Sequence, residues 1–273
     1  DLRKVMKLNR HHSLFKQGRL ADSLAEHRAL MQAIEARDGD SARRLMRAHF
    51  DSGALGDLVT IEASYSADHR WFLSKPWARQ PAFKWLYGGI SHPADLVRWY
   101  LPDVSEVMGY AYLSANGRAG GLANPDTYHF VLKAASGKIA RVTGVYSCPT
   151  VPAERDSPMT CILRCDRGAS QADYHELRYA WKIGEQAAIE SFEARRDYYF
   201  RFGGVSHHAG EYQNYIEYFA RCIATGATPK PDVAEGVVTV ALMQAMDEST
   251  QLGRPVQIAD VLARHHLGDL RTA

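Results

Sequence analysis

Within Ser91-His92-Pro93-Ala94-Asp95, the strongest candidates for chemistry are His92 and Asp95. An imidazole that titrates near neutrality can take the proton of a substrate hydroxyl. A carboxylate three residues on can accept a hydrogen bond from the ring and fix its tautomer. The same residues also have a structural reading, with His92 as a helix N-cap, Pro93 at the first helical position and Asp95 complementing the dipole in the first turn. The sequence leaves both open.

A second group, Asp68-His69-Arg70-Trp71 and Lys75-Pro76-Trp77, follows the first expected strand. His69, Arg70 and Trp71 are candidates for contacting a sugar or polyol, with Arg70 offering paired donors to a hydroxyl or a carboxylate. A loop packed by its own tryptophans fits as well. His27 and His49 fall on facing helices and are weak metal candidates, with His11 and His12 close by in sequence. A tight site wants at least three protein ligands, so half-buried histidines on apolar stripes are the plainer reading and no metal is expected. His207-His208 with Glu211 matches no ligand spacing. The trio Tyr212, Tyr215 and Tyr218 reads as packing rather than as a stacking platform for nucleic acid.

The elements that must position these groups change character near Asp51. Before it, Ser23 and Glu26 make a capping box, and Leu24, His27, Leu30, Met31 and Ile34 share one helical face. Asp38-Gly39-Asp40 turns the chain, and Ala42, Leu45, Met46 and His49 form a second stripe, so residues 1–51 are expected to form a small helical hairpin. After it, alternation predicts strands at 58–65, 107–113, 128–134 and 139–146, and more weakly at 159–164, 172–179, 188–192 and 198–202. Helices are expected from Pro93 to about Leu101, through Tyr212 to Ile223, and from the Asp232/Glu235 capping pair to Leu252 before Gly253. Strands in a block with few helices predict an α+β domain over 52–273, a large, mostly antiparallel open sheet with helices on one face.

A nucleotide fold is not expected. The glycines Gly117, Gly120 and Gly121 lead into the strand Asp126–Leu132 rather than into a helix whose amides could meet a pyrophosphate, so this chain is expected to bind no cofactor by itself. A formal charge of +2 over 273 residues speaks against nucleic acid and anionic membrane as partners. No apolar run is long enough to span a bilayer, and 1–10 is too charged for a signal peptide. The four irregularly spaced cysteines read as reduced structural thiols and the chain as cytoplasmic.

From Ser52 to about Ile258 the sequence resembles the C-terminal domain of the Gfo/Idh/MocA oxidoreductases. The likeness rests on Ser52-Gly53-Ala54-Leu55-Gly56-Asp57-Leu58-Val59, on Gly88-Gly89-Ile90-Ser91-His92-Pro93-Ala94-Asp95-Leu96-Val97-Arg98-Trp99, and on Thr228-Pro229 through Gly253-Arg254-Pro255-Val256, in the family's order. It implies the substrate-binding and oligomerisation half of an NAD(P)-dependent sugar or polyol oxidoreductase, inactive alone because the nucleotide domain is missing. In that family a histidine matching His92 acts on the substrate hydroxyl with an aspartate four residues earlier, where this sequence has Gly88. A homo-oligomer through the sheet is also implied. About Asn9 to Phe50 resembles the end of the FCD effector domain of GntR-type regulators, where the histidines matching His27 and His49 help bind a metal. Two other functions therefore stand beside the first: a non-catalytic sugar-binding or dimerisation module, and a ligand-sensing fragment of a regulator.

Overall fold

A computed structural model of the chain describes residues 50, 53–150, 159–174, 176, 178–191 and 211–270. The expected hairpin with His27 and His49, the strand at 198–202 and His207-His208 lie outside these. The described residues fall into two compact units: 55–191 with 228–270, and Phe50, Gly53 and Ala54 with 211–227. The second unit contributes α3 (Glu211–Thr225), on which Tyr215 packs against Tyr218 and Phe219 at ring separations of 5.9 and 6.4 Å, as helical spacing requires.

The first unit is built on one sheet. Its strands are β1 (Leu58–Ser66), β2 (Val104–Tyr112), β3 (Thr127–Ala134), β4 (Ile139–Val145), β5 (Met159–Cys165), β6 (Gly168–Asp173), β7 (Arg178–Ile183), β8 (Gln186–Ser191) and β9 (Val256–Gln257). They lie in the order β8-β7-β6-β5-β1-β4-β3-β2-β9. The domain is α+β and the sheet mostly antiparallel, as the alternation predicts. One pairing departs from a simple meander: β1 runs parallel to β4, from Thr60 opposite Ile139 to Ser66 opposite Val145. The strand expected at 172–179 is instead a hairpin. Ala172 and Tyr179 face each other across it, and Arg178 Nε closes on Asp173 at 2.9 Å. The turn carries no glycine or proline, so nothing in the sequence marked it.

Period-two alternation sends one side of each central strand inward. Ile61, Val107, Phe130, Leu132 and Val142 are buried, and so are Val97 of α1 (Ser91–Tyr100), Leu242 and Met246 of α4 (Val233–Leu252) and Ile258 of α5 (Ile258–Arg264). These helices cover one face. On the other, Tyr110, His129, Val131 and Arg141 are exposed, and Glu62 accepts from Arg141 and from Arg164 Nε at 3.0 Å. Helix α4 starts with the expected capping box: Asp232 accepts from Glu235 N at 2.9 Å, and Glu235 accepts from Asp232 N at 2.7 Å. It ends at Gly253, whose φ of 64° is a conformation most side chains resist. All four cysteines are free thiols, and desolvation pushes that of Cys161 up to about 12. Among the described residues no helix is long and apolar enough to cross a membrane.

Two substitutions on α4 separate its sides. Leu242 is 0% exposed and Val240 52%. Leu242→Ala is expected to cost about 2–5 kcal/mol in urea denaturation, and Val240→Ala well under about 1.

Candidate functional site

The site forms where β1 and β4 end side by side. Backbone hydrogen bonds continue past the strand ends, with Ala67 N donating to Val145 O at 2.8 Å and His69 N to Tyr146 O at 3.0 Å, and Asp68 bridges Ser147 in the antiparallel sense. Tyr65, His69 and Tyr146 therefore converge. A π-turn, Leu86–Ile90, then leads directly into α1. Wide turns of this kind are frequent at functional positions. Helix α1 thus begins at Ser91, two residues before the predicted start, with Ile90 as the capping residue. This corrects the structural reading of His92, which lies inside the first turn rather than at its N-cap. The reason is the Gly88-Gly89 pair, which lets the chain wind before the proline instead of at it.

Gly89 is required by what lies beneath it. A Cβ there would stand 2.5 Å from Tyr146 Oη. Tyr146 is fully buried, and desolvation raises its phenol well above the ordinary tyrosine range. Its ring stacks on Trp85 at 5.0 Å and 16°, Tyr65 meets its edge at 5.7 Å, and His69 lies 5.1 Å from Trp85. Phe72, Trp77 and Phe83 continue the cluster outward. The indole Nε1 of Trp85 and the hydroxyl of Tyr146 have no hydrogen-bond partner among the described residues. The π-turn is held from a second side by the ion pair of Lys84 Nζ with Asp247 Oδ2 on α4, at 2.6 Å.

Of the residues expected from sequence, His92 is exposed, and its ring packs edge-on against Tyr65 at 5.5 Å and 82°. Asp95 turns elsewhere. Its Oδ1 accepts from Thr239 Oγ1 on α4 at 2.7 Å and lies 4.0 Å from Arg98 Nη1, whose own bond to Thr239 is 2.8 Å. These contacts tie α1 to α4. His69 is buried in the aromatic cluster, whereas Trp71 stays 51% exposed, beside Trp77 at 50%. Arg70 is already engaged, donating from Nε to Asp68 Oδ1 at 2.7 Å and from Nη2 to Oδ2. That pairing holds the Asp68 carboxyl below its usual range. Sequence reading missed Tyr65, Trp85 and Tyr146. The only available signal was that Tyr65 alternates inward with Ile61 and Ala63 on β1.

Of the glycines Gly117, Gly120 and Gly121, the first two serve packing and Gly121 a turn with φ of 86°. Gly117 lies in the short α2 (Ala115–Ala119), where a Cβ would come 3.0 Å from Asp126 Cγ, and Gly120 abuts Leu73. Asp126 is itself 0% exposed and accepts from Ser114 N at 2.8 Å and Ser114 Oγ at 2.6 Å. These residues do not fit a dinucleotide. No group of three or more metal-ligating side chains occurs among the described residues. A cavity of about 410 Å³ lined by Ser64, Ser66, Cys148, Thr150 and Thr160 opens on the sheet face away from Tyr65.

The unit is thus a mixed sheet with helices on one face and a histidine in the first turn of a helix at the strand ends. Residues 44–170 match the family model of the GFO/IDH/MocA C-terminal domain, and residues 1–52 match that of the FCD domain. Residues 44–170 are thus similar to a Gfo/Idh/MocA C-terminal domain. Among solved structures it is similar to an oxidoreductase from Agrobacterium radiobacter in complex with NAD+, L-tartaric acid and magnesium. The identity is 18% and the TM-score 0.67, covering 79% of this chain and 61% of that one. It is also similar to levoglucosan dehydrogenase in complex with NADH and levoglucosan, at 15% identity and a TM-score of 0.59, covering 77% and 62%. At such identities the likeness is one of fold, and the chain spans about three-fifths of the length of these structures. No curated protein matches the sequence.

Two measurements test this geometry. Gly89→Ala is expected to cost about 1–3 kcal/mol in denaturant unfolding, because Tyr146 has nowhere to move. In proton NMR, Tyr65→Leu should shift the His92 ring resonances, assigned with His92→Gln, while Asp95→Asn leaves them in place. The opposite result would return the orienting role to Asp95.

Proposed function

We propose that this chain supplies the substrate-binding and oligomerisation half of an NAD(P)-dependent sugar or polyol oxidoreductase. The observation that carries the proposal is the exposed imidazole of His92, fixed in the first turn of α1 by the Gly89–Tyr146 contact and braced by Tyr65. An imidazole so placed takes the proton of a substrate hydroxyl as that carbon is oxidised. Trp71 offers an apolar face to a sugar ring, Arg70 lies beside it, and His69 supports the wall from within. Asp95 acts by docking α1 on α4 through Thr239, one step removed from the ring. NAD(P) would supply the hydride acceptor from a nucleotide fold outside the described residues, as the structurally similar levoglucosan dehydrogenase is found in complex with NADH. The exposed Tyr110, Val131 and Ile139 on the uncovered face favour self-association through the sheet.

The FCD match over residues 1–52 favours a second reading, a ligand-sensing fragment in which His27 and His49 contribute to a metal site. The two differ in what stabilises the protein. On the first, myo-inositol or levoglucosan at saturating concentration raises Tm by several degrees and a chelator does nothing. NADH gives no saturable energy transfer from the tryptophans. Saturable NADH transfer would place a nucleotide site within this chain and overturn the half-enzyme reading. A Tm that falls with chelator and ignores polyols would favour the sensor.

A further inference from the structure

An arginine fork on the rim of a sugar site would ordinarily be read as a receptor for a carboxylate or phosphate, because its parallel N–H donors match those groups. Here the Nε/Nη2 edge of the fork is closed from within the chain. Arg70 Nε meets Asp68 Oδ1 at 2.7 Å, Nη2 meets Oδ2, and the Arg70 backbone N–H points to Oδ1 at 3.4 Å. We propose that Asp68 is a specificity-determining residue that occupies the Nε/Nη2 edge of Arg70 and so tunes the substrate site to uncharged sugar rings rather than sugar acids or sugar phosphates. The inference rests on the reading that Arg70 and Trp71 face the substrate.

The position of Asp68 makes it an effective plug. Its backbone bridges to Ser147, and the residues on either side bond to Val145 and Tyr146, so its main chain is pinned to the segment that follows β4. A carboxylate on a loose loop could swing aside for an incoming anion. One fixed this way would be stranded next to it, and two unpaired carboxylates in contact are strongly unfavourable. The pairing with Arg70 holds the Asp68 carboxyl below its usual range.

The neighbouring cations are each engaged within the chain. From Arg70 to Lys84 the chain carries Arg70, Lys75, Arg79 and Lys84. Lys75 Nζ sits over the rings of Trp71 and Phe72 at 5.6 and 5.1 Å. Arg79 Nε donates to Leu73 O at 2.6 Å, and Lys84 pairs with Asp247. What the segment does present outward is indole surface, which suits the apolar face of a neutral ring.

The test compares two ligands that share a ring and differ by one carboxylate, methyl β-D-glucopyranoside and methyl β-D-glucuronide, by calorimetric titration of the full chain. The unsubstituted protein should prefer the neutral glycoside by about tenfold or more. Asp68→Asn should raise glucuronide affinity about tenfold in a salt-dependent way and leave glucopyranoside within about twofold, and adding Arg70→Gln should abolish the gain. Circular dichroism checks the fold of Asp68→Asn, and Asp68→Ser serves if it is lost. Equal or tighter glucuronide binding by the unsubstituted protein would overturn this inference alone, as would an unchanged glucuronide affinity in Asp68→Asn. If neither ligand binds any variant, the placement of the substrate beside Arg70 fails as well.

Discussion

The parallel pairing of β1 with β4 is the constraint on which the candidate site depends. In an antiparallel meander the ends of neighbouring strands alternate between opposite edges of the sheet. Running these two in the same direction brings both carboxyl ends to one edge, so that Tyr65 and Tyr146 leave their strands together and meet. The connection between them must be long, and it holds the aromatic turns, the π-turn, α1, β2 and β3. The candidate site residues are therefore either at the ends of the pair or in the crossover that the pair demands.

Holding the crossover in place falls to α4. It meets the π-turn through Asp247 and Lys84, and α1 through Thr239, where Asp95 and Arg98 converge. Burial pulls the Arg98 guanidinium below its usual range, and the carboxylates of Asp95 and Glu235 partly restore it. These polar ties flank a contact surface that is otherwise aliphatic. Hydrophobic packing sets how tightly the helices press on the sheet, while the directional bonds set which turn of α1 faces the strand ends.

Much of this was legible. Strict alternation on β3, with Tyr128, Phe130 and Leu132 inward, gave strand and face together, and Asp232, Glu235 and Gly253 gave both ends of α4. These are local signals, and local physics decided them. The parallel register was not legible, because nothing within β1 says which of several alternating strands will lie beside it. The start of α1 was misjudged for a related reason. Proline usually marks a first turn, but Gly88-Gly89 could wind earlier, and the tyrosine that makes Gly89 obligatory lies far along the chain. The same separation hid the site. His92 could be picked out by type, but its partner was sought three residues away on the same helix, and the structure sets Tyr65 against it. Arg70 was recognised as a fork without notice that Asp68, two residues before it, already filled that fork.

The register that pairs Thr60 with Ile139 also imposes an order of events during synthesis. Contacts so distant in sequence form late, after the intervening chain has been made. Until Tyr146 has left the ribosome, Trp71, Phe72, Trp77, Phe83 and Trp85 have emerged without the ring on which their cluster is built. For that interval the nascent chain carries a sticky aromatic tract of the kind that chaperones bind, and its safe passage depends on how soon β4 follows.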